Sequence, residues 1–480
     1  MKQSAEKGQA LLVVVAAMGV LLVGAVGLAL DGSQLYAHGQ MAQSAADAIA
    51  MAGIMDIFNG TNVGANAFGS SAHTCTSTDA IAPCKYAVAN GFGNDTVILT
   101  FGDKTNAPEG FTSPPLSPTD SPCWMKVSIT RNVSTTLMRM FGAGSTTQVK
   151  ATALASIVSV VAPVPIIITH PTKASALSMG GNDTIQITGG PSRSIQVNSN
   201  SATAFGWNGN SFTIDLHAAG PSGTGADFGV YGAESQPGQG TWNLGTGRWL
   251  EPAAPIQDPF ANVQAPDPSK LTAQSPACGS SCSVYQPGIY DGGLTIKNAT
   301  SQLKPGVYYI KNGDFSVKNS TVTMGSGSDP DTGQGVLIYH TGTGAFDIDT
   351  KANITLVGAG VTPCSAPCSS QTTPSGPYYG ILLFQDRTTP NTVTHTIGKA
   401  NGCISLQGTI YITNTLALMK SGVYQETDYQ GGPCSNTMIQ GEIVTSVLAM
   451  QGNSTINMQL MPNGTLPVRQ VALIGGGPHL

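Results

Sequence analysis

The residues from Gln9 to Leu30 form an uncharged, almost wholly apolar run that ends at Asp31. About 20 apolar residues suffice to cross the hydrocarbon core of a bilayer as a helix. A helix that is apolar on every side would otherwise need a large protein core around it. We therefore predict a transmembrane helix over Gln9–Leu30 that serves as a membrane anchor and follows a short cytoplasmic stub, residues 1–8.

Basic residues near this run predict its orientation. Lys2 and Lys7 precede it, and the next Lys or Arg is Lys85. Because positive charge stays on the cytoplasmic side, we predict a single-pass protein of the inner (cytoplasmic) membrane. Its N-terminus would lie in the cytoplasm and its C-terminal part would be periplasmic or extracellular. The alternative is a signal peptide cleaved near Ala25–Gly27, but the apolar region of a signal peptide is usually roughly 7–15 residues.

The composition favours β-structure and excludes a nucleic-acid-binding function. Only 10% of the 480 residues are charged, against about 25% in a typical soluble domain. The chain instead has 59 glycines and 30 prolines, which suit many short strands joined by turns. The formal net charge is −5 and no long basic stretch occurs, so the chain lacks the positive surface that binds phosphate backbones.

The nine cysteines fit an oxidising compartment, in which closely spaced cysteines form disulfides. The candidate pairs are Cys75 with Cys84, Cys278 with Cys282, Cys364 with Cys368, and Cys403 with Cys434; the odd cysteine is Cys123. The connectivity does not follow from the sequence. The alternative is a zinc site made by the two CxxxC pairs. No histidine lies between the cysteines of either pair, and we predict disulfides and no metal.

The segment 31–58 extends the predicted membrane helix. Small and apolar residues recur there at steps of three or four, which is typical of one helix face; they are Met41, Ala45, Ala48, Ala52 and Met55. Alanine has the highest helix propensity, and Asn59–Gly60 is a stop signal. We predict one long pilin-like helix, with its first half in the membrane and residues 31–58 outside it.

Gly8 precedes the apolar run, the step Leu30–Asp31 closes it, and the small-residue helix Ala46–Gly53 follows. In these features the N-terminal sequence resembles that of the TadE/TadG-like Flp pilus-assembly proteins. A weaker likeness covers a strand, a short helix and an Ala-rich strand of the family, at Trp124–Thr130, Leu137–Gly142 and Val149–Ala155.

The resemblance implies a small α+β segment over residues 59–158, and contacts of the N-terminal helix with other Tad/Flp pilus or secretion-system components. Processed prepilins carry a Glu five residues after the cleavage glycine, where this chain has Val13, so we expect no processing. Some TadG-type proteins carry an Asp-x-Ser-x-Ser metal site in a von Willebrand A-like domain. The strand predicted over Val164–Thr169 is not followed by that motif, so we expect no metal ion and no cofactor.

The rest of the chain is predicted to be mainly β-structure in three parts. Residues 159–217 form a first β-rich region with Gly-Asn turns, and residues 218–284 form a Gly/Pro-rich linker or loop. Residues 285–480 form a β-helix-like domain, because short apolar doublets bounded by Gly, Asn, Asp or Ser recur there. Three doublets begin 21 residues apart, at Leu294, Phe315 and Val336.

This repeat favours a right-handed parallel β-helix (solenoid), in which inward residues stack into one core and alternate polar residues face solvent. The alternative is a β-sandwich, whose strands are usually longer and roughly 8–12 residues apart. This half also resembles the Gly/Asn-rich β-helical extension behind some TadG-like N-termini, at Pro305–Ile310, Tyr378–Arg387 and Gly408–Asn414. That likeness implies a periplasmic or cell-surface scaffold.

Together these features predict a membrane-anchored structural protein of Tad/Flp pilus assembly, TadG-like, with a scaffold or adhesion role and a surface polysaccharide or host surface as ligand. The alternative is an anchored or secreted β-helix carbohydrate-active enzyme, either a polysaccharide lyase or a hydrolase. It would need a carboxylate pair, or a carboxylate near Lys or Arg. The weak candidates are Asp386 with Arg387 and His395, and the pairs Asp329/Asp331 and Asp347/Asp349.

Sequence motifs add no catalytic site to these candidates. The chain has no Walker loop, GxSxG elbow or HExxH helix, which are the signatures of common nucleotide-binding, hydrolase and metalloprotease sites. Nine N-x-S/T triplets occur, and a chain this rich in Asn, Ser and Thr produces several by chance. We therefore predict that the protein is not an enzyme.

Overall fold

A computed structural model describes most of the chain. The described residues are 4–58, 61–62, 67–68, 72–106, 122–135, 144–161, 164–232, 235–261, 263–275, 279–349, 351–364, 376–398, 402–430, 437–461 and 467–479. The chain forms two compact units, one of Met1–Val158 with Val471–Leu480 and the other of Ser159–Gln470. The predicted helix Leu137–Gly142 lies outside the described residues.

The first unit combines a long helix with a five-stranded sheet. Its elements are α1 (Ser4–Phe58), β1 (His73–Thr74), α2 (Ala82–Ala89), β2 (Thr96–Gly102), β3 (Trp124–Ser134), β4 (Thr146–Val161) and the last strand, β31 (Pro467–His479). The strand order is β1-β2-β3-β4-β31, and β1 to β4 pair antiparallel. Strands β3 and β4 cover the two stretches in which the family resemblance placed strands.

Helix α1 is continuous but has two different halves. Between Leu11 and Leu30 its large apolar side chains are exposed, by 52% at Val23 and up to 73% at Leu12. After Asp31 one face is buried against the sheet and α2, and it is made by Ala42, Ala45, Ala46, Ile49, Ala50, Ile54 and Phe58. The predicted helix is therefore confirmed, and of the residues whose spacing predicted it, Ala45 is buried whereas Met41 is exposed. Small residues line the buried face because α1 lies close to β3: a Cβ on Gly53 would meet the Met125 sulfur.

The second unit contains two sheets whose strand pairs are parallel. The ten-stranded sheet contains β5 (Ile166–Ile168), β7 (Arg193–Val197), β9 (Asp227–Val230), β11 (Trp249–Leu250), β13 (Gly288–Asp291), β16 (Gly306–Lys311), β19 (Val336–Thr341), β22 (Ile381–Gln385), β25 (Thr409–Ile412) and β28 (Ile443–Thr445).

The 16-stranded sheet is made mostly of short strands. It contains β6 (Leu177–Thr188), β8 (Phe205–Asp215), β10 (Thr241–Asn243), β12 (Val284–Tyr285), β14 (Leu294–Lys297), β15 (Thr300–Leu303), β17 (Phe315–Lys318), β18 (Thr321–Met324), β20 (Phe346–Ile348), β21 (Asn353–Val357), β23 (Val393–Ile397), β24 (Cys403–Gln407), β26 (Gln425–Tyr429), β27 (Thr437–Ile439), β29 (Val447–Met450) and β30 (Thr455–Gln459). Helix α3 (Leu416–Lys420) lies between β25 and β26.

The first strand of this unit, β5, lies in the middle of the ten-stranded sheet and not at its edge. Along the ten-stranded sheet the order is β11-β9-β7-β5-β28-β25-β22-β19-β16-β13, so β28, near the end of the chain, pairs with β5, near the start of the unit. Parallel sheets in this order are consistent with a β-helix. The β-sandwich alternative is not supported, because sandwich sheets are antiparallel and the named strands of this unit pair parallel.

The described residues between β11 and β12, which are 251–261, 263–275 and 279–283, form a segment that we call the strap. Because β11 and β13 lie at opposite ends of the ten-stranded sheet, the strap must pass along that sheet. Near one end, Asn198 exchanges two hydrogen bonds with the Ile256 backbone. Near the other end, the Gln274 N–H donates to the Ile289 carbonyl oxygen. The strap therefore covers the outer side of the ten-stranded sheet.

Apolar contacts hold the strap on the sheet. Phe260 is buried and its ring packs 5.2 Å from that of Tyr411. Outward side chains of the sheet join the same cluster, among them Ile167, Leu337 and Val444. Burying a side chain such as Phe260 stabilises the folded state by about 1.5–3 kcal/mol.

The structure divides this half of the chain differently from the sequence prediction. Residues 218–284 were predicted as a linker or loop, but they contain β9, β10 and β11 and then the strap. Residues 159–217 and 285–470 contribute strands to the same two sheets. The Gly/Pro-rich composition predicted an irregular linker here. The structure instead has short strands joined by tight turns, in which Gly220, Gly225 and Gly245 adopt positive φ.

Aromatic side chains close both ends of the stacked core. At one end the rings of Phe228 and Trp249 stack at 4.9 Å, with Trp242 edge-on to Trp249 at 5.2 Å. At the other end the rings of Tyr290 and Tyr308 stack at 6.0 Å. Between these ends the inward side chains of both sheets form one apolar cluster.

Arg387→Ala should loosen the strap, because the guanidinium donates to backbone carbonyls of Phe260, Ala261 and Val263. We expect a loss of about 2–4 kcal/mol in the free energy of unfolding. Trypsin should then cut faster after Lys270, an exposed strap residue, as followed by mass spectrometry.

Arg193→Ala is the matched control, since its guanidinium donates to the nearby Gln196 side chain at 2.9 Å and, among the described residues, makes no hydrogen bond to the strap. Equal cleavage rates after Lys270 in the two variants would contradict the role given to Arg387.

Candidate functional site

Asp386 and Arg387, the leading catalytic candidates, lie at the end of β22 and have structural partners. The Asp386 carboxylate accepts hydrogen bonds from Thr341 Oγ1 at 2.7 Å and from the Thr388 N–H at 2.9 Å, which stabilises a turn. Arg387 binds the carbonyl oxygens of the strap. These contacts explain both residues without a substrate.

His395 lies inside the stacked core, on β23, and is fully buried. Its Nδ1 accepts a hydrogen bond from the Phe346 N–H at 3.1 Å, so its Nε2–H donates to Gln425 Oε1 at 2.7 Å. Burial lowers the pKa of His395 to about 3, and the ring is neutral at pH 7. The sequence grouped His395 with Asp386 and Arg387, but the structure gives it other partners.

A second buried histidine, His340, lies next to His395 in the core. We call these two histidines and their hydrogen-bond partners the polar column. His340 Nδ1 lies 2.8 Å from Gln385 Oε1, and its Nε2 lies 3.0 Å from the Gly313 carbonyl oxygen. The rings of His340 and His395 are 6.4 Å apart. Burial lowers the pKa of His340 as well. Because buried polar groups cost stability unless they are hydrogen-bonded, this column fixes the register of the strands that carry it.

The carboxylate pair Asp329/Asp331 forms a turn. Asp329 Oδ1 accepts hydrogen bonds from the N–H groups of Asp331 at 2.9 Å and Thr332 at 3.1 Å. This is the usual role of Asp at the start of a turn. Burial, and then the neighbouring Asp329 charge, raises the pKa of Asp331.

The pair Asp347/Asp349 faces outward near the end of β20 and is neutralised by a lysine. Lys318 Nζ lies 2.6 Å from Asp347 Oδ2 and 4.0 Å from Asp349 Oδ2. The hydrogen bond to Asp347 raises the pKa of Lys318. The alternation of these aspartates with the inward Phe346 and Ile348 is as the sequence predicts.

The cysteines follow the disulfide prediction where the structure describes them. Cys75 and Cys84 form a disulfide with Cα atoms 5.3 Å apart. Cys282, Cys364 and Cys403 are also disulfide-bonded, while Cys278, Cys368 and Cys434 lie outside the described residues. Cys123 is buried.

One cluster among the described residues has the spacing of a metal site: His73, Asp79 and Cys84. Its Cys84 sulfur is already bonded to Cys75 and is not available as a thiolate ligand. His73 Nε2 instead contacts Asp79 Oδ2 at 2.9 Å. This cluster is a local polar contact beside a disulfide.

The 16-stranded sheet carries an uncharged surface that sequence reasoning did not single out. One part of the sheet, which we call the threonine arm, runs through β15, β18, β21, β24, β27, β30, the second half of β6, β8 and β10. Among the described side chains its inward residues are apolar except for Ser301, whose hydroxyl donates to the Cys282 carbonyl oxygen. Its outward polar residues form two rows, which we call the polar array. The first row is Thr300, Thr321, Asn353, Thr455, Thr184, Thr213 and Thr241, and the second is Gln302, Thr323, Thr355, Ser405, Asn457, Gln186, Asp215 and Asn243. The first row is interrupted after Asn353 by Cys403, which is disulfide-bonded.

The sequence signal for this surface is a short repeat. Several strands read polar-apolar-polar, as in Thr321-Val322-Thr323, Asn353-Ile354-Thr355 and Thr455-Ile456-Asn457, and the strand pairing places them in register. Before three strands an asparagine adopts positive φ, at Asn298, Asn319 and Asn453. Each is the first residue of an N-x-T triplet, so these triplets mark a stacked turn.

Comparisons with known proteins give no relative. No family model, no curated protein and no solved structure matches the chain.

His395→Asn should flatten the pH dependence of stability. The unfolded chain binds a proton on His395 near its ordinary pKa of 6.5, whereas the folded chain does so only near pH 3. The stabilisation is therefore complete above pH 6.5 and falls as the pH drops, by roughly 1.4 kcal/mol per pH unit. Urea unfolding between pH 7 and pH 4.5 measures this slope.

We expect the variant to be less stable at pH 7 and its slope to be smaller than that of the wild type by about this amount. His217→Asn, which changes an exposed histidine, is the control. An unchanged slope in His395→Asn would show that the folded and unfolded chains protonate His395 over the same pH range.

Proposed function

We propose that this chain is a membrane-anchored, TadG-like structural protein of Tad/Flp pilus assembly. Its N-terminus lies in the cytoplasm of a bacterial cell, and its C-terminal unit is a right-handed β-helix that lies outside the cytoplasm as a scaffold or adhesive surface. The observation that carries the proposal is the exposed apolar half of α1.

That half has the length and composition of a membrane span. A stretch of 18 residues in the helix Leu11–Phe58 has a mean hydropathy of 2.8, and 6% of that stretch is buried. A soluble protein rarely exposes a large contiguous apolar surface, and Lys2 and Lys7 on its N-terminal side favour a cytoplasmic N-terminus. A bilayer removes this surface from water.

The other half of α1 supports the family assignment. Its Ala-rich face packs on an antiparallel sheet, and strands β3 and β4 lie where the resemblance to TadE/TadG-like proteins implies strands. This is the arrangement expected of a pilin-like helix that leaves the membrane and joins a small α+β segment.

The C-terminal unit supports a scaffold role. Short parallel strands with long-range pairing give a rigid framework, and Asp386, Arg387 and His395 serve that framework through their contacts. No observation among the described residues favours the carbohydrate-active enzyme over the scaffold, so we do not propose it.

Val15→Arg combined with Leu22→Arg should release the chain from the membrane. Each arginine near the middle of a membrane helix costs about 2.5–3.5 kcal/mol, and both positions are exposed in α1. We expect the wild type in the carbonate-resistant membrane fraction and a large part of this variant in the soluble fraction.

Gln34→Arg with Met41→Arg is the matched control, because both residues are exposed on the same helix after Asp31. Equal retention of all three proteins in the membrane fraction would contradict the anchor.

Deletion of the gene should abolish Flp pili and surface adhesion if the chain belongs to this assembly. Electron microscopy of the deletion strain measures piliation, and complementation with the full chain should restore it. Normal piliation and adhesion in the deletion strain would refute the pilus assignment, whatever the membrane experiment shows.

A further inference from the structure

The polar array has hydrogen-bonding groups that the protein itself does not use. Among the described residues, the side chains of Thr300, Gln302, Thr323, Thr355 and Ser405 make no hydrogen bond to another protein group. All five are exposed or half-buried on the outer side of their strands. Their hydroxyl and amide groups are therefore available to a ligand.

The array is nearly free of charge. Asp215, at one end, is its charged member, and it is held by His217 at 2.6 Å and Asn243 at 3.0 Å. The neighbouring part of the same sheet, through β14, β17, β20, β23 and β26, is different, because its outward side carries the ion pair Lys318–Asp347 and the acidic Glu426. An uncharged array favours an uncharged ligand.

The array also has a fixed repeat. Residues in register on adjacent strands are separated by the strand spacing of roughly 4.8 Å, which is close to the advance of one sugar ring along an extended β-linked glycan. Thr323 and Thr355 occupy successive steps of the second row. A glycan lying along the stacking direction would meet one hydroxyl or amide for each sugar.

A groove at one end of the array offers further polar groups to a ligand. It has a volume of ≈ 590 Å³ and is lined by polar side chains of both the stacked turns and the first row, including Asn298, Asn319, Thr321, Lys351 and Asn353. Asn319 Nδ2 donates to Asn298 Oδ1 at 2.8 Å, which holds the two turns in register. The groove therefore adjoins the first row at this end of the array.

We propose that the polar array binds an extended, uncharged, β-linked polysaccharide that lies along the direction of strand stacking, with its edge in this groove. The inference deepens the adhesion role under the proposed function and rests on it, since a ligand of this kind must be outside the cytoplasm. Hydroxyls of the sugars would exchange hydrogen bonds with Thr323, Thr355 and their neighbours.

The test is binding of the full chain, reconstituted in lipid nanodiscs, to immobilised cellohexaose, chitohexaose and mannohexaose. The variant Thr323→Val/Thr355→Val removes two hydroxyls and keeps the shape and β-propensity of both strands. We expect the wild type to bind at least one of these glycans, and the variant to bind it at least about tenfold more weakly.

Thr295→Val/Thr394→Val is the matched control, because both threonines are exposed on β14 and β23, outside the array. It should bind like the wild type, and both variants should keep the wild-type melting temperature. Heparin, an anionic glycan, should not compete.

Equal binding by the two double variants, or no binding of the wild type to any of the three glycans, would overturn the proposal. Competition by heparin would also overturn it. These results are independent of piliation and of membrane fractionation, so failure of the array leaves the proposed anchor and pilus role to their own tests.

Discussion

The parallel pairing of β28 with β5 is the interaction on which the C-terminal unit depends. It pairs Ile443 with Ile166, which are far apart in the sequence. Strands β29 and β30 likewise pair with the early strand β6. Because the late strands must return to the first ones, the chain has to cross the whole ten-stranded sheet once, and the strap is that crossing. Contacts between such distant residues slow folding, so the strap and the return are formed at a cost in loop entropy.

This return also decides which surfaces are available. The strap covers the outer side of the ten-stranded sheet with Phe260 and its neighbours. Ion pairs such as Lys318–Asp347 occupy part of the other sheet. The outer side of the threonine arm is exposed and almost uncharged. Several of its strands repeat a polar-apolar-polar pattern in which the middle residue is buried in the core.

Much of the fold was predictable from local patterns. The apolar run, the alanines after Asp31 and the doublets such as Leu294/Ile296 correctly predicted a long helix and short strands with alternating burial. The strap and the strands within residues 218–284 were not predictable from local patterns, because the pairing of strands depends on residues that are far apart in the chain. The grouping of Arg387 with His395 failed for the same reason: they are near in sequence, but Arg387 binds the strap and His395 lies in the core.

Strands β4 and β31 are neighbours in the sheet of the first unit, although residues 162–466 separate them in the chain. The C-terminal unit is therefore an insertion into the first unit, with its two ends leaving adjacent strands. Insertions of this kind are tolerated because closely spaced ends do not disturb the host sheet. A fragment that stops at Val158 would leave β4 as an unpaired edge, which is a site for aggregation, so the smallest intact version of the first unit must include both ends of the chain.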